Sequence, residues 1–97
     1  MNEPIRLFSQ GGSTSVSIKV RIEDNGDLRF SGQDIGEAPE QIYGKSDYEY
    51  WLTVRAAEKD KLLLALLETQ YAGNGMVISN LRQFMESKQI PCEFFSY

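Results

Sequence analysis

The sequence predicts an α+β domain: a mostly antiparallel sheet of about four strands with two helices packed on one face, in the order β-β-β-α-α-β. Three stretches carry that prediction. Val16, Ile18, Val20 and Ile22 alternate strictly with Ser17, Lys19, Arg21 and Glu23, the period of a half-buried strand. Asp47 to Val54, Asp-Tyr-Glu-Tyr-Trp-Leu-Thr-Val, is rich in aromatic and β-branched residues with the same period. Ala56 to Tyr71 is built from Ala, Leu, Glu and Lys, strong helix formers, and carries leucines on one broad stripe.

In chain order, residues 1–15 hold a short apolar pair, Leu7 and Phe8, and then Ser9 to Ser15, too polar to pack; a mobile tail is expected there, with one domain over 16–97. The strand from Val16 is followed by a second from Asp27 to Gly32, with Leu28 and Phe30 inward. A two-residue Asn25-Gly26 turn would set Ile22 against Arg29 and mix the two faces. A three-residue loop, Asp24 to Gly26, sets Ile22 against Leu28 and Val20 against Phe30, with Gly26 left-handed in a bulge. That register opposes Arg21 to Arg29, like charges that cost stability unless a carboxylate intervenes, and Glu49 is the expected donor of it.

Residues 31–46 read as a long connection containing a short helix, Pro39 to Tyr43, ended by Gly44. Gly32 and Gly36 bracket Gln33-Asp34-Ile35 and would permit tight bends. On the third strand, Tyr48, Tyr50, Leu52 and Val54 share one face and Glu49, Trp51 and Thr53 the other; a tryptophan on the second face implies that something covers it. A second long helix runs from about Val77 to Lys88, or starts later with Ser79 as its cap, and Gln89 stands where glycine would end it better. Pro91 opens a last strand, Cys92 to Tyr97. No internal repeat is visible.

Ser-Gly-Gln-Asp-Ile-Gly (31–36), the 47–54 segment and Ile-Pro-Cys-Glu-Phe-Phe-Ser-Tyr (90–97) resemble a group of short bacterial proteins of unknown function. The resemblance covers 16–97. It implies a small bacterial cytosolic protein and carries over no activity.

Composition excludes several function classes. With 41% hydrophobic and 25% charged residues the chain is globular in composition, and its longest apolar run, Leu62 to Leu67, is far short of the roughly 18 residues of a membrane span. Residues 1–10 lack the pattern of a secretory leader, so a cytoplasmic protein is expected. A net charge of −4 argues against nucleic acid and against acidic partners, and leaves a basic protein partner open. There is no histidine, which removes the usual general base, the Ser-His and Cys-His pairs and the commonest metal ligand. Cys92 alone reads as a packed core thiol and cannot make a zinc site.

Gly73-Asn74-Gly75 reads as a helix-helix turn rather than a phosphate loop, since no strand precedes it and the Walker lysine is missing. Asp24, Asn25 and Asp27 are explained by the hairpin; a calcium loop starting at Asp24 would need glutamate where Ile35 stands. The chain does not read as an enzyme, and no cofactor or metal site is expected.

Two features remain. Asp34, Glu37, Glu40, Asp47 and Glu49 form a carboxylate-rich region, and Tyr43, Tyr48, Tyr50, Trp51, Phe94, Phe95 and Tyr97 an aromatic set. A sheet face with Trp51 and alternate aromatics of the last strand, ringed by acids, has the composition of a protein interface. The binding residues this points to are Gln33, Asp34, Glu37, Tyr43, Asp47, Glu49 and Trp51. The leading expectation is a non-enzymatic protein-binding module, an immunity protein or adaptor, monomeric or weakly dimeric. The alternative is a small-molecule or divalent-metal-binding protein using residues 33–49.

Overall fold

Antiparallel pairing of two nine-residue strands organises the sheet. In the computed structural model, which describes residues 3–44 and 47–97, Thr14–Ile22 pairs along its whole length with Leu28–Gly36. With Ile5–Gln10 and Asp47–Val54 outside them, these strands form a four-stranded meander, β1 to β4 in chain order. The helices are α1 (Glu37–Tyr43), α2 (Lys59–Tyr71, after a 3₁₀ turn at Ala56–Glu58) and α3 (Val77–Ser87). The protein is thus α+β with an antiparallel sheet, and α1 contacts β2, β3 and β4. The residues divide into two compact units, 1–62 and 63–97; the sheet and α1 lie in the first, α3 in the second.

The β2–β3 hairpin has the register that face matching predicts. Ile22 opposes Leu28, Val20 opposes Phe30 and Arg21 opposes Arg29. The Glu23 amide donates to the Asp27 carbonyl at 2.8 Å and the Gly26 amide to the Glu23 carbonyl at 2.9 Å, closing the loop Asp24-Asn25-Gly26. Gly26 takes φ +92°, a conformation that side chains disfavour.

β4 spans the residues expected, Asp47–Val54, and its partners on β3 put Tyr48, Tyr50, Leu52 and Val54 on one face with Val16, Ile18, Val20, Ile22, Leu28 and Phe30. This is the apolar face. Among the described residues no aliphatic, aromatic or sulfur-bearing side chain other than that of Pro39 is buried outright, and Leu52 is 60% exposed.

Three expectations are corrected. Residues 1–15 are not all tail: Ile5–Gln10 forms β1. An extra residue, Leu7, bulges out between Arg6 and Phe8, so Ile5 and Phe8, three apart in sequence, oppose Val20 and Ile18 on the same face. The bulge breaks the period of two by which a strand is recognised. The long connection is also shorter than it looked, because β3 continues through Gly36 and α1 begins at Glu37. Ser31 to Gly36 is polar and glycine-rich, yet its backbone is paired with β2 on one side and, as far as Ile35, with β4 on the other. Finally, no strand forms over Cys92 to Tyr97; those residues pair with nothing, and the fourth place in the sheet is taken by β1.

Gly32 has a specific reason to lack a side chain. It lies directly opposite Tyr50, whose ring covers it so closely that a Cβ at 32 would collide with the ring. The Tyr50 hydroxyl then donates to Asp34 Oδ1 at 3.3 Å, and Tyr48 stacks at 5.4 Å between centroids. The aromatic ring thereby compensates a glycine that would otherwise weaken the strand. Burial and, secondarily, the Asp34 charge push the Tyr50 hydroxyl pKa up.

At the N-terminus of α1, Thr14 Oγ1 accepts from the Ala38 amide at 3.0 Å and the Ser13 carbonyl from the Glu37 amide at 3.1 Å, so two of the helix's orphan donors are satisfied from the start of β2. Pro39 sits buried in the first turn, where its missing N–H costs nothing. Asn74 bridges α2 and α3: its Oδ1 accepts from the Met76 amide at 2.9 Å, and α3 starts at Val77 rather than at a Ser79 cap.

Asp27 ties the hairpin to the chain leaving β4. Only 7% exposed, it accepts from the Ala56 amide at 2.8 Å, from Arg55 Nη1 at 3.0 Å and from Asn25 Nδ2 at 3.3 Å. The Ala56 amide, ahead of the Arg55 and Asn25 contacts, holds its carboxyl below the ordinary value despite desolvation.

Three outcomes test this description. Gly32→Ala displaces the Tyr50 ring from Asp34 and should cost about 1–3 kcal/mol, read as a lower thermal midpoint. Gln89 closes α3 at φ +58°, its amide donating to the Glu86 carbonyl at 3.1 Å while Ile90's donates to Met85 at 2.8 Å, a Schellman closure with glutamine in the glycine position. Gln89→Gly should therefore stabilise by about 1 kcal/mol in denaturant titration. Because the folded Asp27 pKa is lowered, its stabilisation is present above the unfolded value of about 3.9 and is lost as pH falls through the folded value. Asp27→Asn should lower stability at neutral pH, and the gap from wild type should close in acid; a constant gap across pH would show that the carboxylate charge is not what acts.

Candidate functional site

The second face of the sheet is built in cross-strand rows. Arg21, Arg29 and Thr53 form one row; Arg6, Lys19, Ser31 and Trp51 form the next; Ser9, Ser17, Gln33 and Glu49 the third. Trp51 is 54% exposed, and the Arg29 guanidinium lies 5.7 Å from its ring centroid, within cation–π range. The full cover that the sequence implies for this ring does not form among the described residues: Arg29 approaches it, and about half of the side chain stays exposed.

The carboxylate that separates Arg21 from Arg29 is Glu23, not Glu49. Its Oε2 is 3.0 Å from Arg21 Nη2 and its Oε1 3.6 Å from Arg29 Nη1. Glu49 opposes Gln33, two rows away from that pair, whereas Glu23 extends β2 by one step on the same face and reaches both arginines. One carboxylate thus serves two guanidinium groups. Arg6 and Lys19, directly opposed across β1 and β2, have no ion-pair partner among the described residues.

Two shallow grooves flank Trp51. One, of about 260 Å³, is lined by Pro4, Lys19, Arg21, Glu23, Arg29 and Trp51 among others; the second, of about 200 Å³, runs along Ser17, Lys19, Gln33, Glu49 and Trp51. Both fall below the roughly 300–1,000 Å³ of small-molecule pockets. A third groove, of about 540 Å³, lies in the second unit between α3 and the segment after it, where Arg82 stacks on Phe94 at 4.1 Å.

Of the seven residues singled out from the sequence, Gln33, Glu49 and Trp51 come together along one groove. Asp47 opposes Ile35 on the same face, near its edge. Asp34 is on the opposite face, bonded to Tyr50, and Glu37 is in the first turn of α1. The side chain of Tyr43 lies outside the described residues. The alternate aromatics of the last segment do not extend this face, since Phe94 and Phe95 belong to no strand. Cys92 is exposed rather than a core thiol. No three His, Cys, Asp or Glu side chains among the described residues are grouped to hold a metal ion.

Lys19, Arg29 and Ser31 belong to this site and were not singled out in the sequence. The signal was present in the predicted opposition of Arg21 and Arg29, which already put cations on the tryptophan's face. No described helix is long and apolar enough to cross a membrane. No protein-family model matches the chain, and neither a curated protein nor a solved structure matches it.

Proposed function

We propose that this chain is a non-enzymatic protein-binding module, an adaptor or an immunity-type protein of the cytoplasm, whose docking surface is the Trp51 face. The observation that carries the reading is a half-exposed tryptophan midway along β4, an edge strand of the sheet, with the Arg29 guanidinium 5.7 Å from its ring, between grooves too small for a drug-sized ligand. Large rigid aromatic side chains supply contact area at little entropic cost, and tryptophan and arginine are the residues most enriched at interface hot spots. Polar groups surround it, Ser31, Gln33 and Glu49 among them, as at the rim of an interface.

A divalent-metal or small-molecule role for residues 33–49 has less support. Asp34 and Glu49 stand on opposite faces of the sheet, and none of the three grooves described is lined by Asp34 or Glu37.

Trp51→Ala should weaken the complex by about 2 kcal/mol or more, roughly 30-fold in Kd, while leaving the folded sheet intact. The measurement is capture of the tagged protein's partner from its native cells, followed by titration of the purified pair by calorimetry. An unchanged affinity in a stably folded variant would remove this face from the interface.

A further inference from the structure

The chain is acidic overall, but the face that carries its tryptophan is not. Four of its ten lysines and arginines, Arg6, Lys19, Arg21 and Arg29, occupy two adjacent cross-strand rows, the Trp51 row and its neighbour. Among the described residues, the ion-pairing carboxylate on this face is Glu23, which Arg21 and Arg29 already share. Arg6 and Lys19 oppose each other directly with no ion-pair partner among the described residues, an arrangement that costs stability in the free protein. Two other acidic groups on this face, Asp47 and Glu49, are separated from Arg21 and Arg29 by the Trp51 row.

From this we infer that the Trp51 face receives an acidic segment of a partner protein, its carboxylates meeting Lys19, Arg21, Arg29 and Arg6 while an apolar side chain packs on the indole. The inference rests on the protein-binding reading and adds the partner's chemistry to it. Charge complementarity selects the occupant: carboxylates bring the counter-charge that Arg6 and Lys19 lack, and a guanidinium fork such as that of Arg29 fits a carboxylate bidentately. The 260 Å³ groove, lined by Lys19, Arg21, Arg29 and Trp51, has room for one or two side chains. A single-stranded nucleic acid fits less well, because it uses several aromatic platforms in succession and, among the described residues, this face offers one. Net charge acts over distances that salt screens beyond about 10 Å, whereas these cations would touch the ligand.

Trp51 is the chain's only tryptophan, so its emission reports on this face without a label. The experiment titrates the full chain with three probes of equal length: a capped decapeptide of glutamate interspersed with leucine, its lysine counterpart, and a thymidine oligonucleotide. The glutamate probe should shift and saturate the Trp51 emission, and weaken steeply as salt rises. Lys19→Glu should weaken it at least 10-fold with an unchanged circular dichroism spectrum. Lys88→Glu, which changes net charge equally but lies on the other unit, should not. Equal weakening by both variants would overturn the inference, reducing the effect to net charge. Saturable binding of the lysine probe alone would overturn the acidic partner and leave the protein-binding reading standing. Tighter binding of the oligonucleotide than of the glutamate probe would overturn both. No response to any probe would overturn the inference, and the capture experiment with Trp51→Ala would then decide the reading beneath it.

Discussion

The pairing register of β2 and β3 is the constraint on which the rest of the sheet depends. A slip of one residue would send every side chain of a strand to the other face. It would carry Lys19 and Arg21 to the apolar side and Val20 and Ile22 to the polar side. The three-residue loop at Asp24–Gly26 fixes that register, and Asp27 fixes the loop by accepting from the amide of Ala56 and the guanidinium of Arg55 as the chain leaves β4. One carboxylate at the hairpin therefore also positions the exit from the strand that bears Trp51.

The polar half of β3 follows from the same ladder. Ser-Gly-Gln-Asp has little strand propensity, and in isolation it reads as a loop. It is held extended because its backbone is paired with β2 and with β4. Side-chain packing comes from across the strand, where the Tyr50 ring lies on Gly32 and its hydroxyl bonds to Asp34. Asp34 thus has a structural partner, which accounts for its place in the motif without a ligand.

What was legible in the sequence was whatever kept a regular period. The period marks β4 to the residue and β2 from Val16 onward, and matching the faces gives the loop type. β1 was hidden because Leu7 bulges between Ile5 and Phe8, and the end of β3 because its pairing is a tertiary effect that propensity does not encode. The converse error is Cys92 to Tyr97. Its aromatic, alternating composition suits a strand, but a strand exists only where a neighbour offers a ladder, and none is paired there. At the candidate site Gln33, Glu49 and Trp51 were legible because they belong to well-read strands. The sequence points to Glu49 rather than Glu23 because register alone does not say how far a flexible side chain reaches at a strand's end.

Charge is the quantity for which the whole chain misleads most. A net charge of −4 describes the field far from the protein, where salt leaves little of it. At contact distance the relevant quantity is which groups share a face, and that is set by strand parity. Lys19, Arg21 and Arg29 fall on one side of the sheet because they alternate with Val20, Ile22, Leu28 and Phe30, which must be on the other. The apolar pattern that builds the fold therefore also sorts the charges. The same alternation places Trp51 opposite Ser31 and in line with Lys19, in a row whose polarity the overall composition conceals.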